Sequence, residues 1–368
     1  MLDREELQSA VDTGLLTPIQ ADALVAHYAR ADETPTNREE VRFVRGFHDV
    51  FITIGLLIFF VGLFLSFDVM LLEAVPGMLV THAVATILAW GLAEWFARRR
   101  KLALPAIVLS LFSTWFFAVA MGALYGELFV PGMSSSADAS RFSPFSLLTS
   151  ASDGSFDRPL LVYGLSAFVG GALFYARFKV PIALTGLVAG ALAALASLIE
   201  VAVPGLVFDN VPAFTLAAGL ISFALAMHFD ARDLARTTLN TDKAFWLHLM
   251  AAPLIMHSVL ALVRGDTGTT SDAVAVILVV LVLGFIALVV DRRALLVSGL
   301  VYLGVAILSL LQTSNVGADT SLAIALLVLG LFVLTLGSGW TSLRRLLLAP
   351  FAGSGLFDYV PPIRTRIQ

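Results

Sequence analysis

The chain has 368 residues, 58% of them hydrophobic and 14% charged, with a mean hydropathy of +0.90. Soluble domains carry about 25% charged residues, so a mostly solvated surface is excluded. The net charge of −4 argues against nucleic-acid binding, which needs a basic face, and with no cysteine there is neither a disulfide nor a thiolate-held metal.

Residues 1–49 carry fifteen Asp, Glu, Lys or Arg side chains, whereas 50–67 carry none. A signal peptide would place its apolar run near residue 1, so the first hydrophobic segment is expected to be a retained helix. Residues 1–47 read as a cytoplasmic helical hairpin and linker. Helical spacing runs over 3–12, and Gly14 suits the left-handed position after a helix end. Thr17-Pro18-Ile19-Gln20 has the N-cap threonine, first-turn proline and N3 glutamine of a capping box opening a helix at 18–30. Leu16, Leu24 and Tyr28 would line its apolar side, and 31–40 is a polar linker. So short a segment cannot bury a large core. It either leans on its own membrane domain or docks to a partner.

The fold class that follows is all-α, a polytopic membrane helix bundle. Apolar stretches of about 17–25 residues span the hydrocarbon core as helices. They fall at roughly 50–70, 77–97, 103–128, 159–176, 180–203, 213–229, 244–263, 273–290, 294–313 and 321–340. Residues 48–340 are thus a ten-helix transmembrane domain. With the N-terminus inside, 20 of the 23 basic residues are cytoplasmic, and only Arg141, Arg158 and Arg264 lie outside. That asymmetry predicts both termini in the cytoplasm.

Ionisable residues at membrane depth are costly and face a bundle interior or a cavity. The candidates for a cavity or an ion or proton path are His82 on the second helix, Glu127 on the third, Glu200 on the fifth, and His248 and His257 with Trp246 on the seventh. Each has a plainer reading, a hydrogen bond to a neighbouring helix. At about 100° per residue, Trp246, Met250, Pro253 and His257 share one face of the seventh helix, with His248 opposite. Pro253 lacks an N–H and is expected to kink the helix. His257 would then line an outer polar cavity with Glu200 and His82. No histidine pair has metal-ligand spacing, so no metal and no cofactor is implied, and no catalytic residue stands out.

Arg232 and Arg236 after the sixth helix, and Arg344 and Arg345 after the tenth, are placed to meet lipid headgroups. Gly186-x₃-Gly190 with Ala194, and Ser166-x₃-Gly170, predict close packing of the fourth and fifth helices. Residues 341–368 read as an amphipathic cytoplasmic tail.

Three segments resemble a group of uncharacterised bacterial (proteobacterial) inner-membrane proteins: the hairpin around Gly14–Ala21, the stretch Ala244 to His257, and the pattern from Trp340 to Pro362. The resemblance implies a multi-pass protein of the bacterial inner membrane and brings no activity with it. Two readings of function stay open. One is a transporter or channel for a small solute or cation with a polar site in the bundle. The other is a non-transporting scaffold or regulatory protein that acts through its hairpin. The partners follow: membrane lipids in either case, a solute or cation in the first, and a cytoplasmic protein on residues 1–30 in the second. An enzyme is the least supported reading.

Overall fold

The computed structural model describes residues 11–14, 16–23, 47–71, 75–129, 157–263, 270–312, 317–351, 355 and 359–361. The chain divides into two units, Met1–Phe43 and Val44–Gln368. The expectations for helix 3–10, for Leu24, Tyr28 and the 31–40 linker, and for most of the tail beyond 351 lie outside the described residues.

In the first unit Gly14 takes φ +73° and its N–H donates to the Val11 carbonyl at 3.0 Å. This left-handed helix end carries no Cβ penalty at glycine. The Gln20 N–H donates to Thr17 Oγ1 at 3.3 Å, while the Thr17 N–H donates to Gln20 Oε1 at 3.0 Å. Both halves of the capping box are made, so two orphan amides at the helix start are satisfied.

The described residues of the second unit form helices and no strands. The helices are α1 (Phe47–Leu71), α2 (Val75–Ala93), α3 (Ala103–Phe129), α4 (Asp157–Phe178), α5 (Pro181–Ala202), α6 (Val211–Ala231), α7 (Leu239–Val263), α8 (Thr270–Val290), α9 (Leu296–Gln312) and α10 (Ala318–Leu348). A π-helical turn, Glu94–Arg99, prolongs α2. Eight of them, α1 to α7 and α10, are long and apolar enough to cross a membrane. The apolar parts of α8 and α9 are shorter, Val274–Val290 and Arg293–Leu308. Large apolar side chains cover the outside, with Ile87, Leu327 and Leu334 each at least 70% exposed. Keeping such a side chain in water forgoes about 1.5–3 kcal/mol. Lipid removes that cost, and the chain is an integral membrane protein of helical-bundle type.

Neighbours in sequence pack together: α2 on α3, α4 on α5, α6 on α7, and α8 on α9. α3 also touches α1 and α4, and α5 meets α7. The predicted closeness of α4 and α5 is present, although its glycines are used differently. A Cβ on Gly171 would stand 2.8 Å from the Leu187 nitrogen, and one on Gly190 would collide with the Phe168 backbone. Gly186 and Gly170 turn instead toward Thr114 and Phe117 of α3. α6 and α7 close at Gly219, whose added Cβ would meet Ile255, and are tied by Thr215 and Ser258 hydroxyls 2.7 Å apart. α7 runs through Pro253 as one continuous helix, with that proline on its exposed side.

The connections α2–α3, α4–α5, α6–α7 and α8–α9 share a backbone device. Each contains a non-glycine residue in the left-handed region: Lys101 (φ 53°), Lys179 (57°), Arg236 (58°) and Asp291 (60°). Such a position costs an L-residue roughly 1–2 kcal/mol. It also lets the chain fold back at once on the helix just finished. The Lys179 N–H donates to the Tyr175 carbonyl at 2.9 Å and the Arg292 N–H to the Ala287 carbonyl at 2.9 Å, so carbonyls of the last turn are capped.

Candidate functional site: a buried charge cluster at helix ends

Asp230 sits in the last turn of α6, His248 on the inner face of α7, and Arg292 directly after α8. They are 3%, 0% and 1% exposed. The Arg292 Nε donates to Asp230 Oδ2 at 3.0 Å and its Nη2 donates to Oδ1, a two-pronged ion pair. His248 Nε2 adds a third donor at 2.9 Å on Oδ2. A carboxylate only accepts, so the proton is on Nε2. Nδ1 meets no hydrogen-bond donor or acceptor among the described residues, which suits the lone pair of a neutral ring. Phe223 packs edge-on to the imidazole, with ring centres 5.2 Å apart.

A second knot forms around the end of α8. Trp340 Nε1 of α10 donates to Asp291 Oδ1 at 2.7 Å, and Arg236 Nη1 pairs with Asp291 Oδ2 at 3.2 Å. A carboxylate at a helix C-terminus faces the negative end of the helix dipole. Two guanidinium groups offset this. Arg236 Nη2 donates to the Asp291 carbonyl at 2.7 Å, and Arg344 Nε donates to the Leu288 carbonyl at 3.0 Å. Arg344 Nη2 also donates to the Pro361 carbonyl, fastening a point of the tail to this end of the bundle. The orphan carbonyls of α8 are thus capped by side chains from the α6–α7 turn and from α10.

The α6–α7 turn is organised by Asp233. Its carboxylate accepts from the Thr238 hydroxyl at 2.7 Å, the Thr241 hydroxyl at 2.8 Å, and the Thr237 and Thr238 amides at 3.0 and 2.9 Å. Burial pushes its pKa up, but these donors outweigh burial and hold it at about 2. The turn presents Arg236 to Asp291 from a fixed frame.

The residues expected to share a cavity are engaged separately. His82 donates from Nδ1 to the Met78 carbonyl one turn back at 2.8 Å and packs between Phe64 and Phe116. Glu200 accepts from the Gly205, Val207 and Phe208 amides, closing the turn that leads from α5 to α6. His257 is exposed and pairs through Nδ1 with the Tyr302 hydroxyl of α9 at 2.9 Å. Glu127 is exposed near the end of α3, and Trp246 is half-buried. His248 alone of these enters the buried cluster.

Arg236 and Arg344, read from sequence as headgroup contacts, point inward and are 6% and 5% exposed. Helix carbonyls and Asp291 take their donors in place of lipid phosphate. Arg232 and Arg345 remain exposed. The sequence reading missed Asp230, Asp291 and Arg292 as partners. Arg292 lies in a basic pair that the topology rule already accounted for. The one available signal was an Asp at the end of one helix facing a His on the next across a short turn.

Among the described residues no group of three His, Cys, Asp or Glu side chains is arranged to hold a metal ion. The cluster ties α6 and α7 to the turn after α8, and the knot around Asp291 adds α10. No protein-family model, curated protein or solved structure matches this chain.

Proposed function

We propose that the chain is a ten-span protein of the bacterial inner membrane, with both termini in the cytoplasm, and that it is a non-transporting scaffold or regulatory protein. The orientation is supported by the distribution of the 23 basic residues. The apolar parts of α8 and α9 are close to the roughly 17-residue lower limit for a span, which supports counting ten. The three resembling segments support the bacterial membrane.

The observation that carries the functional reading is the Asp230–His248–Arg292 cluster. Its groups satisfy one another and tie together α6, α7 and the turn after α8. A transporter needs polar groups that exchange partners along a path. His82 and Glu200 are instead spent on their own helix or the adjoining turn, and His257 on a tyrosine of α9. In this reading residues 1–30 are the docking element for a cytoplasmic protein.

The test is flux in vesicles reconstituted with the full chain. With imposed gradients of protons, Na⁺ or K⁺, dissipation is expected to match protein-free vesicles. Dissipation that scales with protein content and falls in a His257→Phe or His248→Phe variant would overturn the scaffold reading.

A further inference from the structure

A lateral groove of about 460 Å³ opens at membrane depth over α3. Trp90 and Gly91 of α2 form one wall, Gly170 and Leu173 of α4 the other, and Ser113 and Phe117 of α3 the floor. The groove is open at Gly91, where an added Cβ would meet nothing within 4 Å. Trp90 reaches toward the α4 wall, with its ring 5.8 Å from Phe174 and 5.3 Å from Phe178.

The same two helix faces carry a charged mouth. On α2 and the π-helical turn that prolongs it, Trp90, Glu94 and Arg98 follow at four-residue spacing, and on α4, Gly170, Leu173 and Arg177 follow at three and four, so each set lies near one face. Glu94 joins the two walls directly. It accepts from Arg177 Nε at 2.6 Å and from Arg98 Nη1 at 3.2 Å. One carboxylate against two guanidinium groups leaves a net positive charge, and each arginine uses one of its five N–H donors on Glu94. Both arginines are well exposed, at 53% and 40%. Arg99 and Arg100 sit over the exposed Trp95 ring at 5.5 and 5.8 Å. Among the described residues no carboxylate pairs with Arg99, Arg100 or Lys101.

From Arg98 down to Trp90 is about 12 Å at 1.5 Å per residue, which puts the groove within the half-thickness of the hydrocarbon core, about 15 Å. An apolar groove at that depth ending in surplus arginines matches one ligand class. We infer that this groove is a binding site for an anionic phospholipid of the leaflet that Arg98 and Arg177 face, with an acyl chain between α2 and α4 and the phosphate on the two guanidinium groups. Arginine suits the task because its planar fork matches phosphate oxygens. Charge complementarity distinguishes this occupant from a zwitterionic lipid, whose headgroup gains nothing from a surplus cation.

Trp90 reports on the groove. The full chain is reconstituted in phosphatidylcholine containing a minor fraction of either phosphatidylglycerol or phosphatidylcholine with brominated acyl chains. The Trp90 signal is taken as wild type minus Trp90→Phe. The brominated phosphatidylglycerol is expected to quench Trp90 at lower mole fraction than the brominated phosphatidylcholine. Arg98→Gln and Arg177→Gln should each reduce that preference roughly fivefold, leaving non-selective quenching. Gly91→Phe, which fills open space, should reduce quenching by both lipids. Equal quenching by the two headgroups in the wild type would overturn the proposal. So would a preference unchanged in the double arginine variant, whose exposed positions place little demand on folding.

Discussion

Arg292 and Asp230 stand 62 residues apart in sequence and form a two-pronged ion pair that excludes solvent almost completely. Two consequences follow from that burial. Removing one partner strands the other charge, which costs about 3–5 kcal/mol, whereas replacing both by apolar groups of similar size is near neutral. The pair therefore specifies which helix ends meet more than it adds net stability.

The left-handed turn residues separate two roles. At Lys179 the side chain makes one exposed contact, over the Tyr175 ring at 5.4 Å. Lys179→Gly relieves the Cβ penalty and is expected to leave stability unchanged or raise it by up to about 1 kcal/mol. Asp291→Gly relieves the same penalty but strips a charged partner from Arg236 and Arg344. It is expected to destabilise by about 1–3 kcal/mol. Thermal unfolding of the two variants in detergent compares them, and a stabilised Asp291→Gly would show that the knot at α8 is dispensable.

Asp233 sets an acid limit for the α6–α7 turn. Its folded pKa of about 2 lies below the ordinary 3.8, so its stabilisation is complete above about 3.8 and is lost as pH falls toward about 2. Asp233→Asn should lower stability at neutral pH and flatten its fall across that window. A wild type and variant with parallel pH profiles there would assign the acid sensitivity elsewhere.

Because the chain has no cysteine, single introduced cysteines report topology directly. Lys101→Cys and Lys179→Cys are expected to react with an impermeant maleimide only from the cytoplasmic side, and Asp209→Cys only from the opposite side. Labelling of Lys101→Cys and Lys179→Cys from different sides would break the alternation on which ten spans rest.

Much of the architecture was legible because the bilayer leaves the backbone few choices. Among the described residues each of the ten apolar runs is helical, and eight of the helices are long and apolar enough to cross a membrane. The Thr17–Gln20 box and the Gly14 turn are local chemistry, readable from adjacent residues. Position along each helix was also readable, but the direction of a side chain was not. Glu200 lies near a helix end as expected, and its carboxylate accepts from amides five to eight residues ahead, in the turn that follows its own helix. His257 shares a face with Trp246 and Met250, and that face turns out of the buried core to which Leu247, Ala251 and Met256 belong. Arg236 and Arg344 looked like surface charges, since nothing in their neighbourhoods announces the α8 carbonyls they cap. The Asp230–Arg292 pairing depends on how two hairpins dock, which no spacing within either hairpin encodes.

The most direct test of the cluster as a structural lock is a double-mutant cycle on Asp230 and Arg292. Asp230→Leu and Arg292→Met are each expected to lower thermal stability by about 3–5 kcal/mol, and the double variant by much less, a coupling of 2 kcal/mol or more (roughly). A proton or ion relay would behave otherwise. Additive, small stability effects, together with a vesicle flux abolished by either single substitution, would contradict the account.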